Sequence, residues 1–293
     1  MDLATFLIQC LNALQYGLLL FLVASGLTLI FGIMGVINLA HGSFYMIGAY
    51  MAYALAPIVG STFGGGFFAT LAVGLVLSVV FGYLLEWVFY SYLYEREHLQ
   101  QVLMTYGLIL VFEEARSLLV GDDVHGVPVP PALSGAIALS DVQQYPVYRL
   151  FISGVCLLLA LGMYLVFTRT RLGMTIRAGA TNREMVQSLG IDISFLYRVV
   201  FAAGVAIAVL AGMIASPVSS VYPGMGQSVL IICFVVVVIG GIGSIRGALL
   251  AALLIGFVDT FGKVLLPQAA GVLVYVLMAL ILLWKPDGLF KAG

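Results

Sequence analysis

Charge is what this chain has least of. Twelve Lys and Arg plus thirteen Asp and Glu make up 9% of the 293 residues, against roughly 25% in ordinary soluble domains. A soluble enzyme or a disordered chain cannot be built from so little polarity. The net charge of −1 supplies no basic field for nucleic acid. The first basic residue is Arg96, so the N-terminal apolar stretch lacks the positive n-region of a signal peptide and is expected to stay as a span. Cysteine is scarce too. Cys10, Cys156 and Cys233 sit far apart inside apolar runs, which reads as packing, not as a disulfide frame. The three histidines, His41, His98 and His125, have no ligand spacing, so no metal site is expected.

What is abundant is apolar surface, 63% of the chain. At roughly 20 residues per crossing, that suffices for about nine transmembrane helices. The expected fold is an all-α polytopic membrane protein of about 8–10 spans, nine by best count, in a single transmembrane domain over 1–293. The apolar runs are 4–30, 40–56, 67–90, 99–120, 148–168, 195–216, 228–245, 247–265 and 271–284. Breakers separate them: Pro57 with Gly60 and Gly64–Gly66, then Pro128, Pro130, Pro131 and Pro146, then Pro217 and Pro223 with Gly224, and finally Pro267. The run at 228–245 is short and rich in glycine at its end, so it reads as a full span or as a broken, re-entrant element.

Basic residues set the expected orientation. With the N-terminus outside and the C-terminus inside, Arg96, Arg169, Arg171, Arg177, Arg183, Arg198, Arg246, Lys285 and Lys291 fall in the cytoplasm. Only Arg116, Arg149 and Lys263 are left outside. Two connections exceed a tight turn. The outer loop 121–147, with Asp122, Asp123, Asp141 and several prolines, reads as irregular and exposed. The inner segment 169–194 reads as a built element. In it, Thr181 and Glu184 have capping-box spacing, which starts a helix at Asn182, and Gly190 supplies the left-handed stop. The expected eight-residue helix carries Met185, Val186 and Leu189 on one side and Arg183, Glu184 and Gln187 elsewhere. So short a helix is marginal alone in water and must dock on its own membrane domain or on a partner.

The run Arg177…Asn182-x-x-Met185-Val186…Leu189-Gly190-Ile191-Asp192 resembles the coupling region of the branched-chain amino-acid ABC importer permeases, the LivH-type subunit. Three further stretches are similar to that family: Gly32-Ile-Met-Gly35-Val-Ile-Asn38-Leu-Ala-His41-Gly42-Ser-Phe-Tyr-Met-Ile-Gly48-Ala-Tyr50, Val238-Ile-Gly240-Gly241-Ile-Gly243-Ser244-Ile-Arg246-Gly247-Ala248, and Lys285-Pro286-Asp-Gly288-Leu289-Phe290. They lie in family order along essentially the whole chain. Arg246 departs from the pattern, which usually has proline or another small residue there.

The resemblance implies the pore of an importer moving branched-chain or related small amino acids inward by alternating access, in the bacterial inner membrane. It implies two separate ATPase subunits holding the ATP and Mg, a sister permease in a heterodimer, and a periplasmic substrate-binding protein. No cofactor is expected in this chain, and no nucleic-acid partner. Relatives of this shape also carry urea, short amides or other small solutes. The residues agree with a pore that hydrolyses nothing: no G-x-x-x-x-G-K-[ST] phosphate loop occurs in the sequence. The glycines at 241, 243 and 247 are a near miss to a dinucleotide fingerprint, but they lie between apolar runs instead of after a soluble strand. Gly240, Gly241, Gly243 and Gly247 are therefore expected to make a structural turn.

Asn38, His41 and Gly42, between the first two spans, are the candidates for the substrate path, because glycines there allow a helix break beside a water-lined cavity. The same residues could instead satisfy backbone groups freed by the break. Arg177, Asn182, Arg183, Glu184, Met185, Val186, Leu189 and Gly190 are the candidates for ATPase coupling. Among ionisable groups at span depth, Glu113 with Arg116 and Asp259 with Lys263 have the spacing of local pairs. Glu114 should likewise face a partner or water, and Glu86, with no close sequence partner, is expected at the cytoplasmic interface beside Trp87 and Tyr90. The stripes Gly74, Ser78, Gly82 and Ala248, Ala252, Gly256, Thr260 read as close helix packing, internal or against the sister permease. Two other classes remain open on the residues alone. One is a self-sufficient carrier or channel, and the other is an intramembrane enzyme using Asn38 and His41.

Overall fold

The computed structural model describes residues 3–63, 66–94, 96–138 and 143–290. Asp141, Lys291, Gly64 and Gly65 lie outside the described residues. Each of the nine apolar runs is a helix. The helices are α1 (Leu3–Met34), α2 (His41–Phe63), α3 (Gly66–Val88), α4 (His98–Val120), α5 (Val147–Arg169), α6 (Arg171–Thr181), α7 (Arg183–Ser188), α8 (Ile193–Ala215), α9 (Met225–Gly240), α10 (Ile245–Leu265) and α11 (Ala270–Trp284). The chain is a polytopic all-α membrane protein. Six of the helices, α1, α2, α3, α5, α8 and α10, are long and apolar enough to cross a bilayer. α9 and α11 are shorter, with 16 and 15 residues, and α4 is continuous but carries Glu113, Glu114 and Arg116 in its second half.

α1 and α8 form the axis. Both are buried on nearly every face, as expected for helices that are apolar all round. α10, α5 and α9 pack on α1, while α3 and α2 pack on α8. Contact pairs fix the directions. Ser25 and Asn12 of α1 meet Met163 and Arg149 of α5, so these two run parallel. The near end of the bundle, where α1 begins, holds Leu3, Val147 and Leu265. The far end holds Met34, Arg169 and Ile245.

In lipid, apolar burial does not drive helices together, so close packing has to. Small residues provide it here. A Cβ on Gly256 of α10 would stand 2.5 Å from the Ala13 carbonyl oxygen and 2.7 Å from Gly17 of α1. Gly82 of α3 lies where a Cβ would come within 2.9 Å of Ala202 and Val205 of α8, and Gly74 lies against Met213. Both small-residue stripes thus face internal neighbours.

Three features differ from expectation. Pro57 and Gly60, read as breakers after a run ending at 56, lie inside α2, which continues to Phe63. The run placed at 228–245 is a helix only over Met225–Gly240. At ~1.5 Å per residue it is about 24 Å long. It ends because Gly241 (φ 95°) and Gly243 (φ 80°) take the left-handed region, and Ser244 then caps α10 by accepting from Gly247 N at 3.1 Å. The outer loop 121–147 is also less irregular than its prolines suggest. It contains a hairpin, β1 (Ala136–Ala138) with β2 (Gln144–Pro146), antiparallel with Ile137 opposite Tyr145. His125 pairs backbone to backbone with Val221, and its ring stacks on Tyr53 at 4.2 Å. Arg116 ties the loop's start, donating to Asp122 Oδ1 at 2.9 Å. That bond holds the Asp122 carboxyl below its ordinary value. Its contribution is therefore in place at neutral pH and is lost only as acid takes the pH through the lowered value.

Candidate functional site

The first candidate region is the break between α1 and α2. Gly35 (φ 67°) ends α1 in the left-handed region, and residues 35–40 turn back along it. His41, the first residue of α2, places Nε2 3.0 Å from the carbonyl oxygen of Val23. Val23 lies eleven positions before the last residue of α1, which at ~1.5 Å per residue is about 16 Å back into the bundle. α2 therefore starts deep inside the protein. The His41 ring fits because Gly26 has no side chain: a Cβ there would come within 3.0 Å of the ring and 2.7 Å of the Gly204 carbonyl oxygen.

A broken helix inside a membrane needs other partners for its backbone, and α4 supplies them. Ile37 N donates to Gln101 Oε1 at 3.3 Å, and Thr105 Oγ1 donates to Ile37 O at 3.4 Å. Asn38 Oδ1 accepts from the Tyr90 hydroxyl at 2.7 Å. Asn38 and His41 are completely buried. Among the described residues, Asn38 Nδ2 and His41 Nδ1 have no hydrogen-bond partner. Gly42 lies backbone to backbone against Gly226, at the start of α9, so two helices that begin inside the bundle meet at glycines. Tyr90→Phe should cost about 1–3 kcal/mol, because it strands a buried acceptor. A thermal-unfolding midpoint of the purified variant equal to that of wild type would show that Asn38 is held by something else.

The second region is the segment 169–194. Its helix is α7, Arg183–Ser188, six residues instead of the expected eight. The cap is also different. Thr181 is the last residue of α6 and donates to Arg177 O, while Asn182 is the cap, its Oδ1 accepting from Met185 N at 3.0 Å. An unforeseen helix, α6, precedes it, started by Thr170, whose Oγ1 accepts from Gly173 N at 3.2 Å. Arg177 donates to the Phe167 carbonyl and ties α6 back to α5. Gly190 takes φ 81°, as its place after the helix predicts. Asp192 Oδ1 then caps α8 by accepting from Phe195 N.

The expected apolar side of α7 is divided. Val186 is buried at 4% exposure, but Met185 and Leu189 are 64% and 73% exposed. Glu184 is exposed as well. Leu172 and Met174 of α6 add to this outward patch at 53% and 57%. Arg183 roots the helix, its guanidinium over the rings of Tyr94 (5.7 Å) and Tyr197 (5.5 Å). The Tyr94 hydroxyl donates to Glu86, and Glu86 pairs with Arg198 at 3.5 Å. Glu86 is thus fully buried and held by two partners, not set at the interface as expected. Burying the carboxylate is costly, and the Arg198 cation with the Tyr94 hydroxyl offsets part of that cost.

The third region is the glycine turn. Gly240 meets Gly247 backbone to backbone. The C-terminal motif folds onto it: Leu289 N donates to Ile239 O at 2.8 Å and Phe290 N to Gly240 O at 3.2 Å. Gly32 of the first motif lies against Gly243. Three stretches far apart in sequence thus converge at the far end. Arg246 has a visible role there, its guanidinium over the Tyr164 ring of α5 at 5.8 Å.

The model of the family described as "Branched-chain amino acid transport system / permease component" matches residues 9–283. The chain belongs to that family. The permease is similar to the high-affinity branched-chain amino acid transport system permease protein BraD of Pseudomonas aeruginosa, 31% identical over 97% of this chain and 95% of the relative. It is similar to LivH of Escherichia coli, 28% identical with the same coverage, and to a probable LivH of Methanocaldococcus jannaschii, 28% identical over 95% and 90%. A solved structure, PsaBC from Streptococcus pneumoniae in complex with Fab, matches with TM-score 0.48 and 12% identity over 93% of this chain and 89% of that one.

Local ion pairs hold four more charged groups of the permease. Glu113 and Arg116 lie 3.3 Å apart, and Asp259 and Lys263 2.6 Å apart, as their spacing predicts. The partners of Arg183 and Asn38 were not visible in the sequence. Tyr94 and Tyr197 stand at the ends of two different spans, and Tyr90 is 52 residues from Asn38, so no local spacing connects them. Cys156 and Cys233 are buried, and all three cysteines are free thiols.

Proposed function

We infer that the permease is the pore subunit of an ATP-binding-cassette importer for branched-chain amino acids, set in the bacterial inner membrane with its N-terminus outside. The observation that carries this reading is α7: a short helix rooted by Arg183 on two span ends, presenting Met185 and Leu189 outward beside Glu184. Arg169, Arg171, Arg177, Arg183 and Asp192 keep this segment out of lipid. Apolar side chains exposed there suit the groove of a protein partner. Separate ATPase subunits, holding ATP and Mg, are that partner on this reading, with Arg177, Asn182 and Gly190 fixing the frame of the helix. A sister permease and a periplasmic binding protein complete the assembly. The relatives' names point to branched-chain amino acids as the solute.

Motion of α7 would pass through Tyr94 and Tyr197 to α3 and α8, and so to the helix break. Asn38, His41 and Gly42 enter as the closed part of the path. Being fully buried, they must part from Tyr90, Val23 and Gly226 before a solute can pass. The test is uptake of radiolabelled L-leucine into proteoliposomes holding the permease with the ATPases that co-purify from its native membrane. Uptake should require internal or external ATP on the motor side and fail under an ion gradient alone. Gradient-driven uptake by the permease without ATPases would replace the importer with a self-sufficient carrier.

A further inference from the structure

A cavity at the near end is used by neither the helix break nor the coupling segment. It has a volume of 360 Å³ and is lined from α1, α5 and α10. Its walls include Asn12, Gln15 and Tyr16 of α1, Arg149 of α5, and Asp259 and Lys263 of α10. Such a gathering is unusual in a chain with 9% charged residues. Ionisable groups in a membrane bundle are costly and tend to mark a solute route. Two of the three basic residues that the N-outside orientation leaves outside face this one hollow, against the usual bias.

The charges in it are unequally served. Lys263 Nζ lies 2.6 Å from Asp259 Oδ2 and 5.6 Å from the centre of the Tyr16 ring, so that pair is closed on itself. Arg149 is different: its Nη1 donates at 2.5 Å to Asn12 Oδ1, a neutral amide, and its other side-chain partner, the Tyr145 hydroxyl, is neutral too. Among the described residues no carboxylate lies within 4.0 Å of its guanidinium. A guanidinium has five donors in a planar fork matched to a carboxylate, and the donors that Asn12 and Tyr145 do not take are left for an incoming anion. The volume falls at the small end of the roughly 300–1,000 Å³ range of ligand pockets, which suits a single amino acid.

We propose that this cavity is an outer binding site for a small amino-acid zwitterion, with Arg149 taking the α-carboxylate and Asp259 with the Tyr16 ring taking the ammonium. The choice of solute rests on the importer reading, whereas the anion site rests on Arg149 alone. Lys263, whose side chain is 63% exposed, gives up Asp259 to the incoming ammonium and swings to water. The ammonium over Tyr16 then repeats the cation–ring contact that Lys263 makes now.

The experiment is equilibrium dialysis of radiolabelled L-leucine against the full chain in lipid nanodiscs, without ATPases or ATP. L-Leucinamide, which lacks the carboxylate, and isovalerate, which lacks the ammonium and is one carbon shorter, serve as competitors. Leucine should bind saturably, isovalerate should compete and leucinamide should not. Arg149→Gln should weaken leucine binding at least tenfold and Arg149→Lys by less, both variants remaining monodisperse. Asp259→Asn should weaken leucine but not isovalerate. Unchanged binding in both Arg149 variants, or leucinamide competing as well as leucine, would overturn the proposal. Absence of saturable leucine binding both in discs of phosphatidylcholine and in discs of phosphatidylethanolamine with phosphatidylglycerol would overturn it too. Because no ATP enters this assay, its failure leaves the ATP-driven uptake test of the importer reading untouched, and the reverse holds as well.

Discussion

Arg183→Ala is expected to lower ATP-driven leucine uptake at least tenfold while leaving basal ATP hydrolysis by the assembled motors within about twofold. The reason lies in how little else holds α7. The helix has six residues, and a peptide of that length has no stability of its own in water. Val186 is its one buried apolar side chain. Arg183 adds the two ring contacts with Tyr94 and Tyr197, each worth roughly 0.5–1 kcal/mol at a partly exposed site. That is too little to unfold the permease and enough to detach a lever. Arg183→Lys should recover only part of the uptake, since an ammonium lacks the flat face that lies over a ring. Equal uptake in wild type and Arg183→Ala would mean that force reaches the spans by another route. Tyr94→Phe provides a second reading, because it keeps the ring under Arg183 and removes the hydroxyl that holds Glu86.

Gly48→Leu is expected to abolish the folded state, at a cost of at least ~3 kcal/mol, whereas Gly107→Ala should be neutral or stabilising by up to ~1 kcal/mol. Both glycines lie within long helices. The difference is what surrounds them. A Cβ at Gly48 of α2 collides with the Val209 carbonyl of α8 and stands 2.8 Å from the Val209 Cα. Backbone cannot swing aside as a side chain can, so α2 and α8 would have to separate. A Cβ at Gly107 meets nothing within 4 Å, leaving only the better helix propensity of alanine. The readouts are the monodisperse fraction after detergent extraction and the midpoint of thermal unfolding. A monodisperse Gly48→Leu variant with the midpoint of wild type would contradict the α2–α8 contact.

Much of this architecture was legible from residue order. All nine apolar runs are helices, and proline and glycine clusters bracket most of them, although α2 runs on through Pro57. Local ion pairs such as Asp259 with Lys263 were readable, since helical spacing alone brings such side chains together. The six-residue length of α7 was not, because Thr181 offers a plausible cap by spacing, yet the preceding α6 claims its hydroxyl and leaves Asn182 to do the capping. Glu86 misled for a related reason. A lone carboxylate near a span end looks like an interface group until Tyr94 and Arg198, supplied by other segments, enclose it. The candidates at Asn38 and His41 lie in a helix break, as their glycine-rich setting predicts. The depth of that break depends on Val23, Gly26 and α4, which no local pattern links to it. The outer cavity was equally hidden, for its walls come from three helices distant in sequence.

The strap of the C-terminal motif across the end of α9 has a consequence for how the permease is made. The carbonyls of Ile239 and Gly240 find their partners on Leu289 and Phe290, which the ribosome delivers only after α10 and α11. The corner where Gly32 lies against Gly243 and Gly288 against Gly241 therefore assembles late, once two more helices have entered the bilayer. Until then the last carbonyls of α9 are without these two donors.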